Sequence, residues 1–237
     1  MGKKKPSEDP RNSQKVELLS FNQEQYASAI EEEVKEDGSG AFVFAIGSAG
    51  TGKTWLATTL GADLYSMFAY NQFLILKPTL SCGEELGYLP GTLEEKMEPW
   101  IQTVTQPLKD RLGADKFKCD WNKRIHAEPI QFVRGKTFDN CFIVVDEAQN
   151  LTKTEIETIM TRIGENTKMV FCGDLKQDDH KLIYRTGKKE ISGLAWMVNE
   201  IRRQQRAGIE IIEFTKEDVV RSGACKMALD IIDTAGD

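Results

Sequence analysis

Apolar and polar positions along the chain fall into short segments whose period switches between two and about 3.6 residues. Residues 22–36 carry Tyr26, Ile30 and Val34 at helical spacing, with Asn22 as N-cap, and Asp37-Gly38-Ser39-Gly40 ends the segment. Ala41–Ile46 is a continuous apolar run of strand type, followed by a glycine-rich turn and a helical pattern over Lys53–Phe68. Phe73–Leu76, Phe142–Val145 and Met169–Cys172 read as buried strands, and Ile130–Val133 as a short one. Lys153–Ile163 and Ile191–Arg206 read as helices, Glu210–Phe214 as a final alternating strand and Asp218–Ile232 as a final helix. Leu93–Leu112 has an amphipathic helical pattern, which Pro99 and Pro107 should break or kink. Residues 78–91 are rich in Gly and Pro and read as a loop, and residues 113–129 carry no assignable period. Apolar strands alternating with helices predict an α/β fold with a mostly parallel sheet covered by helices on both faces.

The 237 residues suffice for one sizeable domain with its own core. The expected organisation is a flexible basic arm over residues 1–15, then a single domain over 16–237 with an insertion at about 78–129. A formal net charge of −6 argues against a general nucleic-acid sponge but leaves room for a local basic groove. The five cysteines are widely spaced, without a C-x-x-C pair, which points to a reducing compartment and not to a disulfide framework or a zinc site. Cys141 and Cys172 sit in apolar runs and read as small core residues. No apolar stretch approaches the ~20 residues that span a bilayer. No secretory-type run follows the basic start, and Pro6 breaks the myristoylation pattern. The expected place is the cytoplasm, with no membrane partner.

Gly47-Ser48-Ala49-Gly50-Thr51-Gly52-Lys53-Thr54 fits G-x-x-x-x-G-K-[ST], between an apolar strand and a helix. Such a loop points backbone N–H groups at phosphate, and the following helix adds its positive N-terminus. Lys53 should reach the β- and γ-phosphates, and Thr54 should place its hydroxyl on magnesium. The strand Phe142–Val145 ends in Asp146 and Glu147. An Asp at this point holds magnesium in P-loop enzymes. A Glu beside it can serve as base for an attacking water, which suggests hydrolysis. ATP and Mg2+ are therefore the expected ligands. Asp146-Glu147-Ala148-Gln149 is similar to the motif II box of helicase-type ATPases. Gly173-Asp174-Leu175-Lys176-Gln177, one strand later, is similar to the G-D-x-x-Q box of superfamily 1 helicases, whose Gln lies near the γ-phosphate.

Through most of its length the chain resembles the PhoH family of P-loop ATPases. Asn22-Gln23 with Tyr26 resembles the family's N-terminal Gln box, and the resemblance implies that Gln23 contacts adenine. Gly83-Glu84 with Leu86-Gly87-Tyr88-Leu89-Pro90-Gly91 resembles G-E-x-L-G-[FY]-L-P-G. Arg134-Gly135-Lys136-Thr137-Phe138, Thr161-Arg162-Ile163-Gly164 and Ser192-Gly193-Leu194 continue the match in order. Lys77-Pro78 departs from the family's Arg-Pro, keeping the charge but losing the planar fork. The length leaves no room for the ribonuclease-type PIN domain fused to some relatives. The compact form resembles phage-encoded members, whose place would be a host cytoplasm.

The resemblance implies a helicase-like (RecA-like) ATPase core assembled as a homo-oligomeric ring, such as a hexamer. Arg221, in Asp218-Val219-Val220-Arg221, is then a candidate arginine finger reaching a neighbour's γ-phosphate. A helix cap or a surface salt bridge is the plainer alternative, and Arg134 and Arg162 are other candidates. Residues 181–206 hold seven basic side chains, including Lys181, Arg185, Arg202, Arg203 and Arg206, against Glu190 and Glu200. Tyr184 and Trp196 are interleaved among them. This reads either as a groove for single-stranded nucleic acid, RNA before DNA, or as a solvated helix face with Trp196 in the core. Trp55 reads as helix-face packing. Two other functions stay open: a nucleotide-dependent oligomeric switch acting on a protein partner, and a small-molecule kinase. The two helicase-type boxes weigh against the kinase, and the absence of an N-K-x-D guanine reader weighs against a GTPase.

Overall fold

A computed structural model of the chain describes residues 15–78, 93–176 and 192–220, with the backbone only for 93–100. Helix α1 (Phe21–Glu31) starts at Ser20, whose hydroxyl accepts from the Gln23 N–H; the N-cap is thus Ser20 and not Asn22. Strand β1 (Phe42–Ile46) leads through the glycine-rich loop into α2 (Lys53–Ser66), and β2 (Gln72–Lys77) follows. Helix α3 (Leu93–Leu112) runs without interruption through Pro99 and Pro107, so the expected break does not occur. Its buried face, with Val104 and Leu108 fully inside the core, packs on α2. That burial outweighs the cost of about 3 kcal/mol for an interior proline.

The stretch without a period contains α4 (Ala114–Asp120) and β3 (Ile125–Pro129). In β3 only Ile125 and Pro129 are buried, so the strand leaves no alternation to read. Ile130–Val133 is a 3-10 turn and not a strand. Burial of Ile130 and Val133 with Phe132 exposed suits three residues per turn. Strand β4 (Cys141–Val145) is buried throughout, then α5 (Lys153–Met160) begins on a capping box of Thr152 and Glu155. Strand β5 (Lys168–Gly173), helix α6 (Gly193–Gln204) and β6 (Ile209–Glu213) complete the described elements. A 3-10 turn covers Lys216–Asp218 and Val219 is extended, so the helix expected from Asp218 does not start there; its remainder from 221 to 232 lies outside the described residues, as do residues 1–14 of the arm.

Among the described residues the sheet has six strands, ordered β3-β2-β4-β5-β1-β6, every pair parallel. Alternate residues of each central strand feed two cores. On one face Val43, Ala45, Phe142, Val144, Val170 and Cys172 meet α1, α2 and α3. On the other, Phe44, Ile143, Val145, Met169 and Phe171 meet α5 and α6. Of the segment read as an insertion at about 78–129, residues 93–129 supply a core helix and an edge strand of this sheet. β4, β5 and β1 are neighbours, and they bring Asp146, Gly173 and Gly47 to one carboxyl edge. Crevices outside the strand ends at such an edge are where open α/β sheets bind ligands.

Candidate active site

The loop after β1 is shaped by close backbone approach. A Cβ at Gly47 would lie 2.5 Å from the Phe214 carbonyl oxygen, so only glycine fits there. Gly52 takes φ 87° as N-cap of α2, a conformation that favours glycine where the loop turns into the helix. Lys53 is 8% exposed, and its ammonium lies across the loop, donating to the carbonyls of Gly47 at 2.7 Å and Ser48 at 2.8 Å. Burial lowers its pKa, with Cys172, Asp174, Glu147 and Asp146 opposing. Thr51 is fully buried, and its hydroxyl donates to the Ser48 carbonyl.

A cavity of about 640 Å³ opens over this loop, lined by Ala49, Gly50, Gly52, Lys53 and Thr54 together with Asp146, Glu147, Gln149 and Asp174. That volume suits a small-molecule ligand. The Thr54 hydroxyl donates to Asp146 Oδ1 at 2.7 Å. The other oxygen, Oδ2, pairs with Lys77 Nζ at 2.9 Å, both side chains being buried. Lys77 also donates to Thr103 Oγ1 at 3.2 Å. The sequence marked Lys77 only as a departure; the structure places it on the carboxylate beside the phosphate loop. Thr103, which lines the cavity from α3, carries no signal in the sequence. Glu147 adopts φ 53°, a left-handed conformation that a non-glycine residue takes at a cost. Its carboxylate accepts from Gln149 Nε2 at 2.6 Å, and Gln149 Oε1 accepts from the Asp174 N–H at 3.2 Å. One amide thus ties the end of β4 to the end of β5.

Gln23 is 3% exposed and lines the same cavity. Its Oε1 accepts from the Leu19 N–H at 2.8 Å and its Nε2 donates to the Thr51 carbonyl at 3.3 Å. Tyr26, fully buried, donates to the Lys53 carbonyl from beneath the loop. Burial pushes the neighbouring Cys172 thiol up to about 12, so it is a core group at the cavity floor and no nucleophile. Trp55 corrects the sequence reading: it does not pack into a helix face but stands 48% exposed at the cavity. Gln177 and Arg221 lie outside the described residues. Val220, just before Arg221, donates its N–H to the Gly50 carbonyl at the cavity mouth. Arg134 is exposed after the turn that leaves the carboxyl end of β3, whereas Arg162 lies at the opposite edge, its carbonyl accepting from the Phe138 N–H ahead of β4.

Fold and cavity together define a P-loop NTPase. Residues 15–233 match the family described as PhoH-like protein, and the chain belongs to this PhoH family. It is 31% identical over 224 residues to "Protein PhoH" of Escherichia coli (strain K12), covering 93% of this chain and 59% of that protein. It is 35% identical over 193 residues to "Protein PhoH2" of Bacillus subtilis (strain 168), covering 79% of this chain and 42% of that one. The chain thus spans about half the length of these curated relatives. Among solved structures, the large terminase of a thermophilic bacteriophage shares the fold with a TM-score of 0.54 at 12% identity, over 90% of this chain and 50% of that one. Among the described residues no helix is long and apolar enough to cross a membrane.

Proposed function

We propose that the chain hydrolyses ATP with magnesium and couples turnover to single-stranded nucleic acid, RNA before DNA, as a ring-forming helicase-like ATPase. The observation that carries the hydrolytic reading is the junction of Thr54, Asp146 and Glu147 on one cavity, with Thr54 and Asp146 hydrogen-bonded at 2.7 Å. Two hard oxygen ligands beside a phosphate loop fit magnesium, which keeps phosphate and water for its remaining positions. Thr54 and Asp146 would hold the ion, which supplies neutralising charge to the β- and γ-phosphates. Lys77 fixes the Asp146 carboxylate from its far oxygen. Lys53 leaves the loop carbonyls to meet the phosphates. Glu147, aimed by Gln149, takes the proton of the attacking water.

The nucleic-acid part rests on the family and on the basic segment, four of whose seven basic residues lie outside the described residues. Its described portion is less available than the sequence implied. Arg202 pairs with Glu213 and Arg203 with Glu200. Trp196 is half-buried against the core, and Lys153 Nζ sits 4.2 Å from its ring centroid. Any stacking platform in this region must therefore come from elsewhere, with Tyr184 the remaining candidate. The test is ATP turnover with and without single-stranded RNA, with Lys53→Ala as the blank. Stimulation by RNA that disappears in Lys53→Ala is expected. Turnover indifferent to RNA and to single-stranded DNA would favour the nucleotide-dependent switch acting on a protein.

A further inference from the structure

Three of the large exposed hydrophobic side chains among the described residues share one place. Leu19, Trp55 and Val220 are 58%, 48% and 50% exposed, and all three line the phosphate-loop cavity. Apolar groups gathered on the rim of a polar site suit a ligand with an apolar face. They come from three separate segments, and each segment is tied to the others. Gln23 bonds both the Leu19 N–H and the Thr51 carbonyl. Asn22 Nδ2 donates to Asp218 Oδ2 at 2.8 Å, and Val220 N–H donates to the Gly50 carbonyl at 3.1 Å. Burial opposes the charge on Asp218, but hydrogen bonds from Ser20, Asn22 and Thr215 prevail and hold its carboxyl below the usual range. The rim is therefore built, not accidental.

Another part of the cavity wall is acidic, formed by Asp146, Glu147 and Asp174 at the ends of β4 and β5. That wall serves the terminal phosphate and its cation, so a triphosphate seated on the loop directs its nucleoside toward the apolar rim. Trp55 lies two residues beyond Lys53 in the first turn of α2, and it lines the cavity beside the loop. Gln23 spends one acceptor site of its oxygen and one of its two N–H groups on the protein. One of each is left, but the two bonds fix the amide in the wall, where it is 3% exposed. Glu17, which also lines the cavity, is exposed to water, where a single hydrogen bond discriminates little.

We propose that Leu19, Trp55 and Val220 form the seat of the nucleobase, with the Trp55 indole stacked on it. Gln23, bonded at both ends within the protein, braces this seat instead of reading the base, so the site takes ATP and GTP alike. This rests on the nucleotide reading of the same cavity, and the experiment separates the two. The full chain is titrated with ATP, GTP and inorganic tripolyphosphate in magnesium, by calorimetry and by tryptophan fluorescence. ATP and GTP should bind within about tenfold of each other, as expected where no buried group pairs with the base. Trp55→Ala should weaken both by about 5- to 150-fold, the range of one base–aromatic stack, and leave tripolyphosphate binding unchanged. Trp55→Phe should restore most of the affinity while losing the fluorescence response to nucleotide. Gln23→Ala should weaken ATP and GTP by one common factor. A loss confined to ATP in Gln23→Ala would make Gln23 a base reader and overturn the proposal. Equal weakening of tripolyphosphate and nucleotide by Trp55→Ala would overturn it too. If the wild-type chain bound none of the three probes, the phosphate cradle itself would fail, and the base seat with it.

Discussion

Glu147 is the proposed base for hydrolysis, and its geometry is unusual for a glutamate. It sits at φ 53°, a conformation costing of order 1–3 kcal/mol unless its surroundings hold it. The hold is Gln149, which donates to the Glu147 carboxylate and accepts from the Asp174 backbone. Glu147→Gln should lower ATP turnover by about 10²- to 10⁴-fold, the usual weight of a general base, while nucleotide affinity persists. Wild-type turnover in that variant would remove Glu147 from the role. Gln149→Ala tests the hold separately. A hydrogen bond to a charged group is worth about 1.5–3 kcal/mol, so kcat should fall at least about tenfold. Because the Gln149 amide touches the base and not the phosphate loop, KM for ATP should stay within about twofold. Gln149→Glu, with the same shape but a like charge beside Glu147, should fall further in steady-state assays. A rise in KM without loss of kcat would instead make Gln149 a binding residue. The acidic pair was legible because its residue types close an apolar strand after a phosphate loop. The amide's role was not, because it depends on β4 and β5 being neighbours, and no spacing within one segment reveals which strands adjoin.

Elements whose burial is complete were read most easily. β4 and β5 are continuous apolar runs in the sequence and buried along their whole length in the structure. β3 was missed because an edge strand buries only its ends, and α3 was expected to break because local proline chemistry speaks louder in a sequence than packing does. Two element contacts give predictions. The first is α2 on β4: a Cβ at Gly61 would lie 2.3 Å from a Phe142 ring carbon. That ring is held between Phe73 and Tyr70, with centroids 5.4 and 5.5 Å away, and has nowhere to turn. Alanine improves helix propensity over glycine by about 1 kcal/mol. Overpacking costs about 1–3 kcal/mol, and here it should win, so Gly61→Ala lowers stability in urea unfolding. The second is the start of β5. Lys168 is fully buried and donates to the carbonyls of Ala29 and Glu32 at the end of α1. Burial pushes its ammonium down to about 8, with Glu32 opposing. Between that value and the ordinary lysine pKa of about 10.4 the unfolded chain carries more protons, so folding strengthens as pH rises through this window. The stability of the wild-type chain relative to Lys168→Met should therefore grow from about pH 8 to about pH 10.5, by up to about 3 kcal/mol at ~1.36 kcal/mol per unit. A flat difference across that range would mean that Lys168 keeps its charge in the fold.

For the molecule as a whole, the open question is whether one chain makes a complete site. The described cavity brings together the phosphate loop, Asp146 proposed for magnesium and Glu147 proposed as base, all from a single chain. Phosphoryl transfer also builds charge on the γ-phosphate in the transition state, and an arginine finger answers that need with about 10³- to 10⁵-fold in rate. Arg221 is proposed for this part, serving a neighbouring subunit in the ring. Its predecessor Val220 is anchored to Gly50 at the rim, and Arg221 itself lies outside the described residues. Complementation decides the point. Lys53→Ala chains keep Arg221 but lose their own site, and Arg221→Ala chains keep the site but lose the finger. Each variant alone should be nearly inactive in ATP turnover. Mixed before assembly, they should recover turnover, because an intact site on one chain meets an intact finger on the next. Recovery should rise with protein concentration and peak at an intermediate mixing ratio. A mixture as inactive as its components, with mixed assemblies verified by differential tagging, would show that any arginine at this position serves its own cavity. In that case the ring would have to be justified by nucleic acid alone, since hydrolysis would no longer require a neighbour.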